Sequence, residues 1–169
     1  MRSRAGAVMG SLVFLVLAPG TVAVYVPWSL SRWRPGPPLL GWPWLRPFGL
    51  SLILLGLPVL LDSFRRFAME GLGTPAPILP PERLVVQGFY RHVRNPMYVA
   101  VTSLVLGQAL LLGNVSVLVY GLVVLLAFHL FVLGYEEPTL RRRFGAEYEA
   151  YCAGVGRWAP RLKPWRDLA

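Results

Sequence analysis

The sequence predicts an all-α integral membrane helical bundle of about four transmembrane helices, followed by a C-terminal amphipathic interfacial helix. Two observations carry that prediction. Residues 5–31, 47–61 and 95–135 contain no charged side chain, in a chain that is 55% hydrophobic and 15% charged. A bilayer core of about 30 Å takes about 20 apolar residues in helix, so each run holds one span and the longest holds two. At 169 residues the chain makes a single membrane domain, 1–169.

The first span is expected from about Ala7 to Trp28. Its opening, "MRSRAGAVMGSLVFLVLAPG", has the basic start of a signal peptide. The apolar stretch nevertheless continues through "TVAVYVPW" without a small-x-small cleavage site, so a retained helix is expected, kinked at Pro19 and Gly20. The connector at 29–47, "SLSRWRPGPPLLGWPWLRP", has the Trp and Pro content of an interfacial loop. A second span follows from Phe48 to about Phe67, with Asp62, Arg65 and Arg66 marking its exit. The next stretch, "GLGTPAPILPPERLVVQ", is too rich in Pro and Gly for a helix interior.

The third span runs from Pro96 to about Gly113 and the fourth from Val115 to Tyr135. Only Gly113 and Asn114 lie between them, which predicts a tight antiparallel hairpin. After Glu136 the pattern turns amphipathic. Leu140, Phe144, Tyr148 and Tyr151 are spaced by four, four and three, one face of a helix at the interface or beneath the bundle.

The net charge of +9 lies between the spans. Fourteen basic residues fall on the side of both termini and the 62–96 loop, against three in the 29–47 connector. The positive-inside rule therefore predicts cytoplasmic termini, as in a bacterial inner membrane protein, and a lipid bilayer as partner. Nucleic acid is not an expected partner, because no basic face with interleaved aromatics stands apart from the membrane segments. One cysteine, Cys152, excludes an intramolecular disulfide, and with only His92 and His129 no metal site is expected.

Two polar clusters interrupt this apolar plan. The first is "GFYRHVRNPMYVA", residues 88–100. Asn95 and Pro96 are suited to the N-cap and first position of the third span. Arg91, His92 and Arg94 suit an anchor on lipid headgroups, or an anion site at the helix start, with Tyr90 and Tyr98 able to face a cation. The second cluster is "YEEPTL", residues 135–140. Paired carboxylates at a span end are costly unless partnered. The hairpin should bring Glu136 and Glu137 near Arg94 and Asn95, giving either a salt-bridged plug or a seat for a zwitterion. Inside the spans, Gln108 and His129 are expected to hydrogen-bond between helices. His129 also precedes Glu136 by seven positions, about two turns on one face, which would allow a substrate contact.

Together these pieces resemble the isoprenylcysteine carboxyl methyltransferase and phospholipid methyltransferase families of integral membrane enzymes. The resemblance rests on Gly88 and Tyr90; Arg94, Pro96 and Tyr98; Glu136, Glu137 and Leu140; and Phe144, Gly145, Tyr148, Tyr151 and Pro160. It covers about residues 84–160, dividing the domain into a cofactor-binding half at 84–160 and two N-terminal spans with their connector at 1–83. It implies S-adenosylmethionine bound at the cytoplasmic end of the last two spans by Gly88, Tyr90, His92, Arg94, Asn95, Tyr98, Tyr135, Glu136 and Glu137. It also implies a lipophilic methyl acceptor, the carboxylate of a prenylated thiol compound or the amine of a phospholipid. A carboxylate needs no base; for an amine, Glu137 or His129 would take the proton. Asn95 stands where the family usually has His. "GVG" at 154–156 replaces a basic residue near the end, for which Arg157 is the candidate substitute. A transporter subunit would be expected to carry an acidic residue within a span, and none is present in the central part of any apolar run. A silent four-helix scaffold would have no cofactor affinity.

Overall fold

The computed structural model describes residues 13–69 and 84–166, and among these there is no strand. Helix α1 is Val13–Ser31, α2 is Leu45–Met69, α3 is Pro96–Leu112 and α4 is Val115–Phe131. A wide π-type turn, Val132–Glu136, carries α4 directly into α5, Glu137–Phe144. Helix α6 is Ala146–Gly154. Three stretches, Val13–Ser31, Leu45–Arg66 and Val115–Phe144, are long and apolar enough to cross a membrane. The start of the first expected span and most of the 71–87 loop lie outside the described residues.

Helix α3, 17 residues or about 25 Å long, occupies the centre. Ala100, Val101, Leu104, Val105 and Ala109 pack there with Leu60 and Phe64 of α2, Ala23 of α1 and Val117 of α4. Large apolar side chains on the outer faces, such as Leu55, Val123 and Leu126, are exposed, as a lipid-facing belt requires.

Two glycines explain the close crossing of α2 and α3. A methyl on Gly49 would come within 2.6 Å of the Gly107 carbonyl, and one on Gly107 within 2.7 Å of the Gly49 carbonyl. Small residues allow helix backbones to approach this closely in a bilayer. The expected hairpin is present. Gly113 ends α3 at φ +67, and the Asn114 side chain caps α4 by accepting from the Val117 N–H at 3.0 Å.

The expected kink in α1 takes the form of a π-type turn at Thr21–Tyr25, just beyond Pro19 and Gly20. Two other expectations need correction. The fourth span does not stop at Tyr135, because the π turn keeps the helix continuous through Pro138, which sits in the first turn of α5. The amphipathic helix is broken at Gly145, whose backbone at φ 51 and ψ −124 is not helical. Its predicted face still assembles: Leu140, Phe144, Tyr148 and Tyr151 form a second core with Val155, Leu84, Val86 and Trp165.

Candidate active site

The stretch 88–95 is held by the end of the chain. Four backbone or side-chain groups of residues 90–94 bond this tail: the Arg94 N–H donates to the Gly156 carbonyl at 2.9 Å, the Arg161 N–H to the His92 carbonyl at 2.9 Å and the Trp165 N–H to the Arg91 carbonyl at 2.8 Å, while Tyr151 Oη donates to the Tyr90 carbonyl at 2.6 Å. Side chains reinforce the pairing. Arg91 Nε donates to the Trp165 carbonyl at 2.6 Å, and His92 Nδ1 lies 2.8 Å from the Arg161 carbonyl. Burial pushes the Tyr90 and Tyr151 phenols well above their usual range, so both stay neutral.

Asn95 occupies the N-cap position of α3, but its side chain makes no cap bond. Its Nδ2 instead donates to the Arg157 carbonyl at 3.1 Å. The tail competes successfully for this amide because it lies directly against the start of α3.

The two glutamates meet different surroundings. Glu137 is 5% exposed and accepts from Arg157 Nε at 2.6 Å and Nη2 at 2.9 Å, a two-pronged pairing. Arg94 Nη1 lies 3.2 Å from the same carboxylate and donates to Cys152 Sγ at 2.6 Å. Those bonds to Glu137 hold the Arg157 guanidinium above its usual pKa. Two guanidiniums on one carboxylate leave a net charge of +1. The neighbouring Glu136 accepts from Tyr98 Oη at 2.8 Å, and the Tyr98 ring packs on Phe128 at 4.7 Å. A single chain position therefore separates an anionic pole at Glu136 from a cationic one around Glu137. Adjacent positions on a helix point about 100° apart, and the π turn just before them widens the backbone between Val132 and Glu137.

The other expected residues are distributed around these poles. His129 Nδ1 accepts from Trp158 Nε1 at 3.1 Å, so its bond is to the tail and not to another span. With Nδ1 accepting, the hydrogen-bond network assigns the ring proton to Nε2. Gln108 does join helices, donating to the Ala23 carbonyl of α1 at 2.7 Å. Tyr135 is exposed, its ring against Phe131 at 5.3 Å. Gly88 lies against α2: at φ +54 a methyl there would stand 2.0 Å from Arg66 Nε, which pairs with Asp62 at 2.7 Å.

Sequence reasoning missed the tail itself: Cys152, Gly156, Trp158, Arg161 and Trp165. The signal was in "RWAPRLKPWR" (residues 157–166), where Trp and Arg alternate around Pro in a stretch unable to form a span. Among the described residues no three His, Cys, Asp or Glu side chains gather as a metal site would require.

A buried array with separated positive and negative poles, at the end of an apolar hairpin, suits a zwitterionic ligand next to a membrane. Comparison with known proteins bears on which chemistry it serves. No curated protein matches the chain. The phospholipid methyltransferase family model matches residues 44–147, from the start of α2 through the beginning of α6, and so takes in the second span as well as the hairpin and both glutamates. The chain is an integral membrane methyltransferase belonging to the phospholipid methyltransferase family.

Proposed function

We propose that the protein transfers a methyl group from S-adenosylmethionine to a lipid-like acceptor at the cytoplasmic membrane face. The observation that carries this reading is the pair of opposed poles at Glu136 and Glu137. The donor set fits the methionine end of that cofactor. Glu136, whose hydrogen-bond partner is the Tyr98 hydroxyl, suits an ammonium group. The surplus positive charge of Arg94 and Arg157 suits a carboxylate. Arg94 Nε is buried without a hydrogen-bond partner among the described residues, a donor that such a ligand would satisfy. S-adenosylmethionine, when bound, supplies a methyl group on a sulfonium, and the reaction is an in-line displacement.

The chain's own residues then act by positioning and by excluding water. Glu137 fixes both arginines, and each of its oxygens already accepts from Arg157. His129 is held by Trp158 and presents Nε2–H, which orients an acceptor and does not deprotonate it. The cofactor-binding half of the domain, residues 84–160, supplies these groups, while the outer faces of α1 and α2 offer the lipid side.

A carboxylate acceptor, as on a prenylated thiol compound, is already a nucleophile, and the occupied Glu137 and His129 favour it. The family's description favours a phospholipid, whose amine must lose a proton as it is methylated. An isotope-labelled methyl donor incubated with the protein and total membrane lipid, followed by mass spectrometry, tests the reading. Label incorporated into lipid and released by mild base as methanol marks a methyl ester, and label that stays on the headgroup nitrogen through the same treatment marks an N-methyl product. No incorporation into any lipid by folded protein would refute methyl transfer to lipid.

A further inference from the structure

The polar stretch 88–95 does not act as one cluster. Arg94 turns inward to Glu137, and His92 is held by the Arg161 carbonyl. Arg91 serves a different surface. It lines a cleft of about 510 Å3 together with Arg66, Gly88, Trp165 and Arg166.

Three separate segments build this cleft. Arg66 is the last residue of the stretch Leu45–Arg66, so the cleft lies where α2 leaves the apolar layer. Its Nε donates to Asp62 at 2.7 Å, which fixes the guanidinium. Gly88 gives that side chain its place, since a methyl on residue 88 would stand 2.0 Å from Arg66 Nε. Arg91 is locked to the tail by a reciprocal pair. Its Nε donates to the Trp165 carbonyl at 2.6 Å, and its own carbonyl accepts from the Trp165 N–H at 2.8 Å. That pair sets Arg166, next in the chain, on the same cleft.

Arg91 uses one of its N–H donors on Trp165, and Arg166 has no partner among the described residues. No Asp or Glu among those residues lines the cleft. Guanidiniums gathered without a carboxylate between them repel one another, and an anion in the cleft relieves that repulsion.

We propose that this cleft binds a phosphate group, supplied by an anionic phospholipid of the adjoining leaflet. Phosphate oxygens accept in pairs from guanidinium forks. Basic pockets beside transmembrane helices hold lipid headgroups in this way. A soluble phosphate offers the same chemistry, but the position of Arg66 at the end of an apolar stretch favours the lipid. None of the groups that form the poles at Glu136 and Glu137 lines this cleft, and the inference stands without the methyl-transfer reading.

The test compares wild type with Arg91→Gln/Arg166→Gln and with Arg142→Gln/Arg143→Gln, a charge-matched pair on the exposed side of α5. Retention of phosphatidylglycerol against phosphatidylcholine is read by native mass spectrometry, and binding of inorganic phosphate by calorimetry. Wild type should retain phosphatidylglycerol preferentially, the cleft variant about tenfold more weakly, and the α5 variant within about twofold of wild type. Saturable binding of inorganic phosphate by wild type, lost in the cleft variant and without a lipid preference, supports the site with soluble phosphate as its source. Equal losses in the two variants overturn it, because general surface charge then explains the retention. An unaffected cleft variant also overturns it, as does folded wild type with neither lipid preference nor phosphate binding. Should the double cleft variant not fold, Arg166→Gln alone decides, since that side chain has no partner to lose among the described residues. A loss of about threefold then supports the site, and none overturns it.

Discussion

The π turn of α1 and the π turn of α4 begin from the same chemistry, a proline whose missing N–H follows a widened turn, yet they sit in different surroundings. Around Thr21–Tyr25 the released carbonyls face α3 and α4, and Gln108 and Tyr120 take them up. Around Val132–Glu136 the backbone lies at the edge of the bundle, next to the Glu136 carboxylate, which accepts from the Tyr98 hydroxyl. A broken helix turn inside the core becomes a tie between helices. At the site end it leads into two adjacent glutamates with different partners, Tyr98 for one and Arg157 for the other. Whether such a turn is structural or functional is decided by what the surrounding helices offer it.

Substitutions on the two sides should therefore separate stability from binding. Glu137→Gln has the largest expected effect. Arg94 and Arg157 would be left facing each other without their shared carboxylate, whose side chain is 7% exposed. Breaking a buried pair of this kind costs about 3 kcal/mol. Thermal melting should fall accordingly, and S-adenosylmethionine affinity should drop tenfold or more, because the cationic pole loses its geometry. Unchanged affinity would remove that pole from the site. Gln108→Leu is expected to be milder and of one kind. It leaves the carbonyl of Ala23, a residue 4% exposed, without its donor, for about 1–3 kcal/mol. Melting should drop while donor affinity holds. A parallel loss of affinity would mean that the α1 turn is coupled to the site and that the contrast between the two turns fails.

The spans were legible because charge-free runs report a bilayer directly, and the hairpin because Gly113 and Asn114 leave no room for another connection. The meeting of Arg94 with Glu137 followed from that hairpin alone. Other features depend on contacts with no local signature. The Gly49–Gly107 crossing requires knowing which helices are neighbours. The Asn95 side chain turns from its expected cap toward Arg157 because the tail arrives there, and nothing near residue 95 announces it. The π turn leaves its trace only in Pro138, which in sequence reads equally well as the start of a new helix. The break at Gly145 was hidden for a related reason. The apolar face of Leu140, Phe144, Tyr148 and Tyr151 continues across it and is buried as expected.

The central claim is that Glu136 forms the anionic pole of a cofactor site whose cationic pole surrounds Glu137. Glu136→Gln tests it most directly, because the amide oxygen can still accept from Tyr98 Oη while the charge is gone. Wild type and variant are to be titrated calorimetrically with S-adenosylmethionine, with thermal melts run alongside. The account predicts saturable binding by wild type and an affinity at least tenfold weaker in the variant, at an unchanged melting temperature. Equal affinities in two well-folded proteins would contradict it.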